Sequence, residues 1–260
     1  MSLFSLNEQD VLITGASSGF GEHFATLFAR NGCRTLALLA RRTDRLEELA
    51  SQLRKEIPNL NVVAVKCDVS DTADIPRAFD EAVKLTGVNF NVIVNNAGIG
   101  SPKSFLNHTN ESYNQIMDVN VRGCFFVAQE GAKRMVESQI HSGSIINIAS
   151  IYGSRVGYGH TVYSSSKAAL IHMTKAQALE LMEHGIRVNC VLPGYFKTEL
   201  TQDFYDGPKG KDFIQQHIPI NRLGNIGELD GVMLLLGSQA SSFMYGSIVT
   251  VDGGHLLSTL

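Results

Sequence analysis

Tyr163 and Lys167, in the run Tyr-Ser-Ser-Ser-Lys, are four residues apart, the spacing that puts two side chains on one face of a helix. A phenol, with an ordinary pKa of about 10, is a poor proton shuttle at neutral pH, but an ammonium beside it favours the phenolate and brings proton transfer within reach. Taken alone, the pair reads as a surface tyrosine lying on a lysine stem. Its company changes the reading. Ser150 stands thirteen residues before the tyrosine, Asn95-Asn-Ala-Gly98 lies upstream, and a glycine cluster lies near the start.

That cluster is Thr14-Gly-Ala-Ser-Ser-Gly-Phe-Gly21, with Gly15, Gly19 and Gly21 enclosing Ser17, Ser18 and Phe20. It follows an apolar β-branched run and opens a helical pattern, the place where backbone N–H groups can face a pyrophosphate. A tight strand-to-helix turn without a ligand is the plainer alternative. Asp68 and Val69 after a third strand, where a carboxylate can meet an adenine amine, and Asn95 through Gly98 after a fourth favour the nucleotide, because ligands sit at strand ends in such sheets.

The elements that must position these groups are legible as alternation. Strands are predicted at Val11–Thr14, Thr35–Leu39, Val62–Val65, Val92–Val94, Ser144–Ile148, Ile186–Leu192 and Ser247–Val251. Helices are predicted over Glu22–Asn31, Arg45–Lys55, Ile75–Leu85, Glu111–Ser138, Val162–His184 and Glu228–Leu236. Strands apolar on both faces imply a Rossmann-type, doubly wound parallel α/β sheet of seven strands. At 260 residues and 44% apolar composition, one domain spanning 1–260 is expected, with a polar lid at about 201–225 broken by Gly207-Pro208 and Pro219.

Composition narrows the partners. A net charge of -3 with scattered basic residues argues against nucleic acid and anionic membranes. No apolar run is long enough to span a bilayer and the start lacks a signal pattern, so a cytoplasmic protein is expected. Cys33, Cys67, Cys124 and Cys190 are widely spaced, as free thiols in a reducing compartment would be. The histidines have no metal-ligand spacing and default to surface positions, His255 among them, so no metal is expected. His160 is the exception, three residues before Tyr163.

Together these motifs resemble the short-chain dehydrogenase/reductase family, over about Leu6 to Gly254: Thr-Gly-x-x-x-Gly-x-Gly at 14–21, Asn-Asn-Ala-Gly at 95–98, Asn120, Ser150, Tyr163-x-x-x-Lys167, Pro193-Gly194 with Thr198, and Val251-Asp-Gly-Gly. The resemblance implies that Asn120 kinks its helix and holds a water leading to the lysine, and that Lys167 also bonds the nicotinamide ribose. It implies that Pro193-Gly194 orients the carboxamide, with Phe196 beside the ring and Thr198 near the pyrophosphate. Asn95, Ala97 and Gly98 would line the cofactor on the adenosine side. A homotetramer is implied as well, with the helices at about 111–138 and 162–184 at one interface.

Hydride transfer to a ketone needs an acid for the developing alkoxide and a polar group for the carbonyl oxygen, roles that Tyr163 and Ser150 can fill. Cofactor choice follows from charge: the second strand ends in Ala40-Arg41-Arg42, with no acid to bind a free ribose diol. Two guanidiniums suit a 2′-phosphate, so NADPH/NADP+ is expected, with Arg41 the more important because it follows the strand directly. Ile151, Tyr152, His160 and Tyr195 are the substrate candidates, an apolar and aromatic set that favours a bulky or acyl ketone over a free sugar. An NAD(H)-linked dehydrogenase of polyols or sugar acids is the alternative. A non-enzymatic nucleotide sensor is weakened by the intact tyrosine and lysine.

Overall fold

In the computed structural model, which describes residues 3–197, 205 and 207–257, β1 (Asp10–Thr14) pairs in parallel with both β2 (Thr35–Ala40) and β4 (Val92–Asn95). β3 (Asn61–Lys66) lies outside β2, while β5 (Ser144–Ile148), β6 (Arg187–Pro193) and β7 (Ile248–Val251) follow β4 outward. The seven-stranded order is β3-β2-β1-β4-β5-β6-β7. Chain direction across the sheet therefore reverses between β1 and β4, and a crevice opens at their C-terminal ends.

Alternate side chains of each strand feed opposite cores. Val11, Ile13, Leu36 and Leu38 pack with Phe24 and Phe28 of α1 (Gly19–Arg30), Leu46 and Leu53 of α2 (Thr43–Glu56), and Met233 of the helix Asp230–Gly237. Leu12, Leu39 and Ile93 face the other way, onto Ile75 and Phe79 of α3 (Asp74–Thr86), Val127 and Met135 of α5 (Cys124–Glu137), and Ala178 of α6 (Thr161–Leu181). Burial on both faces explains why these strands read as continuous apolar runs rather than alternating ones.

All seven expected strands are present, within a residue or two of their predicted ends. The helix expected over 111–138 is not continuous. It divides into α4 (Asn110–Met117), one turn of π-helix (Asp118–Gly123) and α5. Gly123 is why the turn can sit where it does: a Cβ there would come within 2.5 Å of the Val69 carbonyl oxygen, so only glycine lets the helix approach the loop after β3. Such bulges gather at functional sites.

The lid region is only partly within the described residues, which leave out 198–204 and 206, and with them Thr198. Its described part is not unpatterned: Gly207-Pro208 starts a helix over Pro208–His217, proline being well suited to the first helical turn. No helix among the described residues is long and apolar enough to cross a membrane. The four cysteines are free and buried.

Candidate active site

The glycine turn follows from three separate demands. Gly15 has φ +67°, and a Cβ there would stand 2.9 Å from the Ala97 Cα, so the turn is pressed against the strand-end loop after β4. Gly19, at φ +58°, opens α1 with nothing within 4 Å of where a Cβ would be, which leaves the helix N-terminus bare toward the crevice. Gly21 lies behind the turn, where a Cβ would meet the Gly15 carbonyl oxygen at 2.3 Å. It therefore does not line the crevice as expected of a cofactor contact. It lets α1 pack against its own turn.

A cleft of about 660 Å³ runs from this turn across the strand ends. Ser17, Ser18, Gly19 and Phe20 line one end, with Arg41, Arg42, Asp68 and Val69. The two arginines are held differently. Arg42 folds back onto the turn, donating to the Ser17 Oγ at 3.0 Å and the Ser18 Oγ at 2.7 Å, whereas Arg41 stands beside Asp68 with Nη1 4.0 Å from a carboxylate oxygen. Residue 42 is the N-cap of α2, where the chain turns toward the helix, and that turn aims its side chain at the glycines. Asp68 is held in place by Ser70, whose N–H and hydroxyl both donate to it.

Asn95 is a correction. Its side chain is buried away from the cleft and donates to the Cys124 carbonyl at 2.6 Å and to Asn147 at 3.2 Å, tying β4 to α5 and β5. The neighbour Asn96 does the work expected of it, lining the cleft and donating to the Thr14 and Gly15 carbonyls at 3.0 and 3.3 Å. Strand alternation was the available signal, since Asn95 is still in β4 on the same face as Ile93. Ala97 and Gly98 line the cleft as expected.

At the other end, Tyr163 and Lys167 face the cleft from α6, with the Lys167 Nζ 5.8 Å from the centre of the Tyr163 ring. Lys167 is only 4% exposed, donates to the Ile148 carbonyl at 3.0 Å, and has no acidic partner among the described residues. Gly98 leaves room for it: a Cβ there would stand 3.1 Å from the Nζ and 3.5 Å from the Asn120 Oδ1. Asn120, in the π-turn, is fully buried. It receives the Ile99 N–H at 2.8 Å and donates to the Ile99 carbonyl and the Ser166 Oγ. The broken helix thus brings Asn120 and Lys167 to one glycine.

Ser150 is buried at the end of β5, and its Oγ accepts the Tyr152 N–H at 3.2 Å. It lines the cleft with Tyr163, so a local capping role and an open hydroxyl coexist. Ile151, Tyr152, His160 and Tyr195 also line this end, as do Pro193, Gly194 and Phe196. The Tyr152 and Tyr195 hydroxyls share a hydrogen bond of 2.5 Å, joining the loops after β5 and β6. Burial pushes the Tyr195 hydroxyl well above its ordinary range, reinforced by that bond. Cys124 is pushed up to about 11 by burial, against the opposing effect of Lys167, so it stays a neutral thiol.

His255, expected at the surface, is 5% exposed, with its ring 5.3 Å from that of Tyr195. Phe213 of the helix Pro208–His217 packs against Tyr195 as well, at 5.1 Å. The chain's last described turn and the helix Pro208–His217 thus back the same tyrosine. Neither has a periodic signal that would have exposed this.

A family model described as enoyl-(acyl carrier protein) reductase matches residues 15–255. The chain is 33% identical over 251 residues, 96% of each sequence, to an L-rhamnose-1-dehydrogenase of Scheffersomyces stipitis. It is 34% identical over 248 residues to a 3-oxoacyl-(acyl-carrier-protein) reductase of Thermotoga maritima, covering 95% of this chain and 97% of that one. Its fold superposes on a gluconate 5-dehydrogenase from Burkholderia cenocepacia, solved with NADP and tartrate, with a TM-score of 0.91 at 30% identity, covering 99% and 98% of the two chains. The sheet order, the glycine turn, the Tyr163–Lys167 pair and these matches across almost the full length have one explanation: the chain belongs to the short-chain dehydrogenase/reductase family.

Proposed function

We propose that this protein is an NADPH-dependent reductase that converts a ketone to a secondary alcohol, with Tyr163 as the proton donor. The observation that carries the reading is the buried Lys167 ammonium facing the same cleft as Tyr163 and Ser150 without an acidic partner among the described residues. An ammonium buried this close to the phenol ring can stabilise the negative charge left on the oxygen once the proton has been given up. The cleft fits the cofactor: Gly19 leaves the α1 N-terminus open to a pyrophosphate, and Arg42 with Ser17 and Ser18 forms a polar group suited to a 2′-phosphate.

When bound, the nicotinamide supplies the hydride. Ser150 holds the carbonyl oxygen by hydrogen bonding, and Tyr163 gives it the phenolic proton, so that ketone, hydride and proton together leave as the alcohol. Lys167 stabilises the resulting phenolate and would hold a bound cofactor by its ribose hydroxyls. Asn120 fixes the floor beneath it through Ile99 and Ser166. Phe196, 5% exposed and packed edge-on to Phe20 at 5.6 Å, gives the nicotinamide a rigid apolar wall. NADP in complex with the superposed gluconate enzyme supports the same cofactor class.

Replacing Tyr163 with Phe removes the proton and little else. Turnover should fall roughly 100-fold or more while NADPH affinity, read from nicotinamide fluorescence, stays nearly unchanged. Retention of more than about a tenth of the rate would remove Tyr163 from the acid role.

A second reading, an NAD(H)-linked dehydrogenase of polyols or sugar acids, is favoured in its substrate class by the rhamnose and gluconate relatives, though the latter was solved with NADP. The arginines at the end of β2 weigh against it.

We also propose a symmetric tetramer. Phe125 and Phe126 on α5 and Leu179 on α6 are exposed, and this apolar face would be covered by a second copy. Light scattering at micromolar concentration should exceed the 28.3 kDa of one chain several-fold, and a monomer mass would contradict it.

A further inference from the structure

The His160 ring stands at the N-cap of α6, stacked on Tyr152 with ring centres 4.6 Å apart and planes at 27°. It is edge-on to Tyr163 at 6.1 Å, so it flanks the site of proton transfer. Its backbone is fixed from both sides, donating to the Gly157 carbonyl at 3.1 Å and accepting from the Ser164 N–H at 2.7 Å. Nδ1 is buried and has no hydrogen-bond partner. A buried N–H without an acceptor is the costlier of the two possibilities, which leaves the lone pair at Nδ1 and the proton on Nε2.

Burial lowers the His160 pKa, so the ring stays neutral and the arrangement holds at physiological pH. Nε2–H is then a fixed donor on a residue that lines the cleft beside Tyr163. Among the described lining residues the cations are Arg41, Arg42 and Lys167, the first two at the adenosine end and the third behind Tyr163. The described substrate end is made of Ile151, the tyrosine hydroxyls and this neutral imidazole, and none of these side chains carries a positive charge to meet a carboxylate.

We infer that His160 orients the substrate by donating a hydrogen bond from Nε2 to a second oxygen next to the carbon being reduced, and that the preferred substrates are uncharged ketones bearing a neighbouring carbonyl or hydroxyl. This rests on the ketone-reductase reading and specifies its substrate class. The two hydrogen-bonding points, Ser150 with Tyr163 for the reacting oxygen and His160 for its neighbour, would fix which face of the ketone is presented. A ketone without the second oxygen loses that fixation. A sugar acid would also bring its carboxylate to an end where Lys167, behind Tyr163, is the one cation among the described lining residues.

The test compares diacetyl, butanone and ketogluconate as substrates for the wild-type enzyme, His160→Phe and His160→Gln, each with NADPH. Phe keeps a flat ring against Tyr152 but removes the donor, and Gln restores an N–H. NADPH affinity of each variant reports that the chain is folded. The expected result is that the ratio of kcat/KM for diacetyl to that for butanone falls roughly 3- to 10-fold in His160→Phe, chiefly through KM, and recovers in His160→Gln. An unchanged ratio in His160→Phe, or a wild-type preference for ketogluconate, would overturn the inference and leave the reductase reading standing. Wild-type enzyme that reduces none of the three would instead sink the reductase reading and this inference with it.

Discussion

At the adenosine end of the cleft Arg41 keeps 62% of its side chain exposed and Arg42 is also at the surface, whereas Lys167 at the catalytic end is 4% exposed. The two ends hold cations in opposite surroundings. An exposed guanidinium costs little to place and attracts weakly through water, and salt screens it. A buried ammonium costs much to desolvate, yet acts strongly on whatever lies beside it. On the proposed function, binding preference would reside in charges that can change without disturbing the fold, and chemistry in a charge that glycine, asparagine and a carbonyl must jointly accommodate.

Breaking the buried end should have the larger effect. Lys167→Ala removes the group that favours the phenolate and bonds the ribose, so turnover should fall about 100-fold or more and NADPH binding should weaken with it. The checks are single-turnover rate and cofactor affinity, both measured again in high salt, where the size of the loss should barely change. A rate near wild type would mean that the buried ammonium is structural.

At the exposed end, Arg42→Ala should raise the Michaelis constant for NADPH roughly 10- to 100-fold and leave that for NADH nearly unmoved, because a charge-assisted bond to a phosphate is lost. Arg41→Ala should do less, since that side chain already stands beside Asp68. Here the effect should shrink as salt rises. If the two arginines respond equally, the pairing of Arg42 with Ser17 and Ser18 is not what selects the cofactor.

Much of this was legible in the sequence, for physical reasons. Parallel strands covered on both faces are continuous apolar runs, and a glycine turn directly after the first of them marks the pyrophosphate end. What was not legible depended on contacts distant in the chain. The break at Asp118–Gly123, where the family resemblance put a kink at Asn120, leaves no mark in the periodicity of 111–138, and the close approach to the Val69 carbonyl that Gly123 permits is a long-range contact. Asn95 and Asn96 are adjacent and identical in type, and only strand alternation separates the one that braces the sheet from the one that braces the turn. His255 is buried by Tyr195 and Phe213 of the helix Pro208–His217, partners that lie far from it in sequence. The bonds from Arg42 to Ser17 and Ser18 likewise join residues more than twenty positions apart, which strand position alone does not reveal.

The most direct test of the division between the two ends is kcat/KM of the wild-type enzyme for NADPH and for NADH, measured with one ketone at low and at high salt. The expected result is a preference for NADPH of about 10-fold or more that narrows as salt is added, the mark of an exposed guanidinium on a phosphate. A preference for NADH would contradict it, and would leave Arg41 and Arg42 as solvated residues at the start of α2.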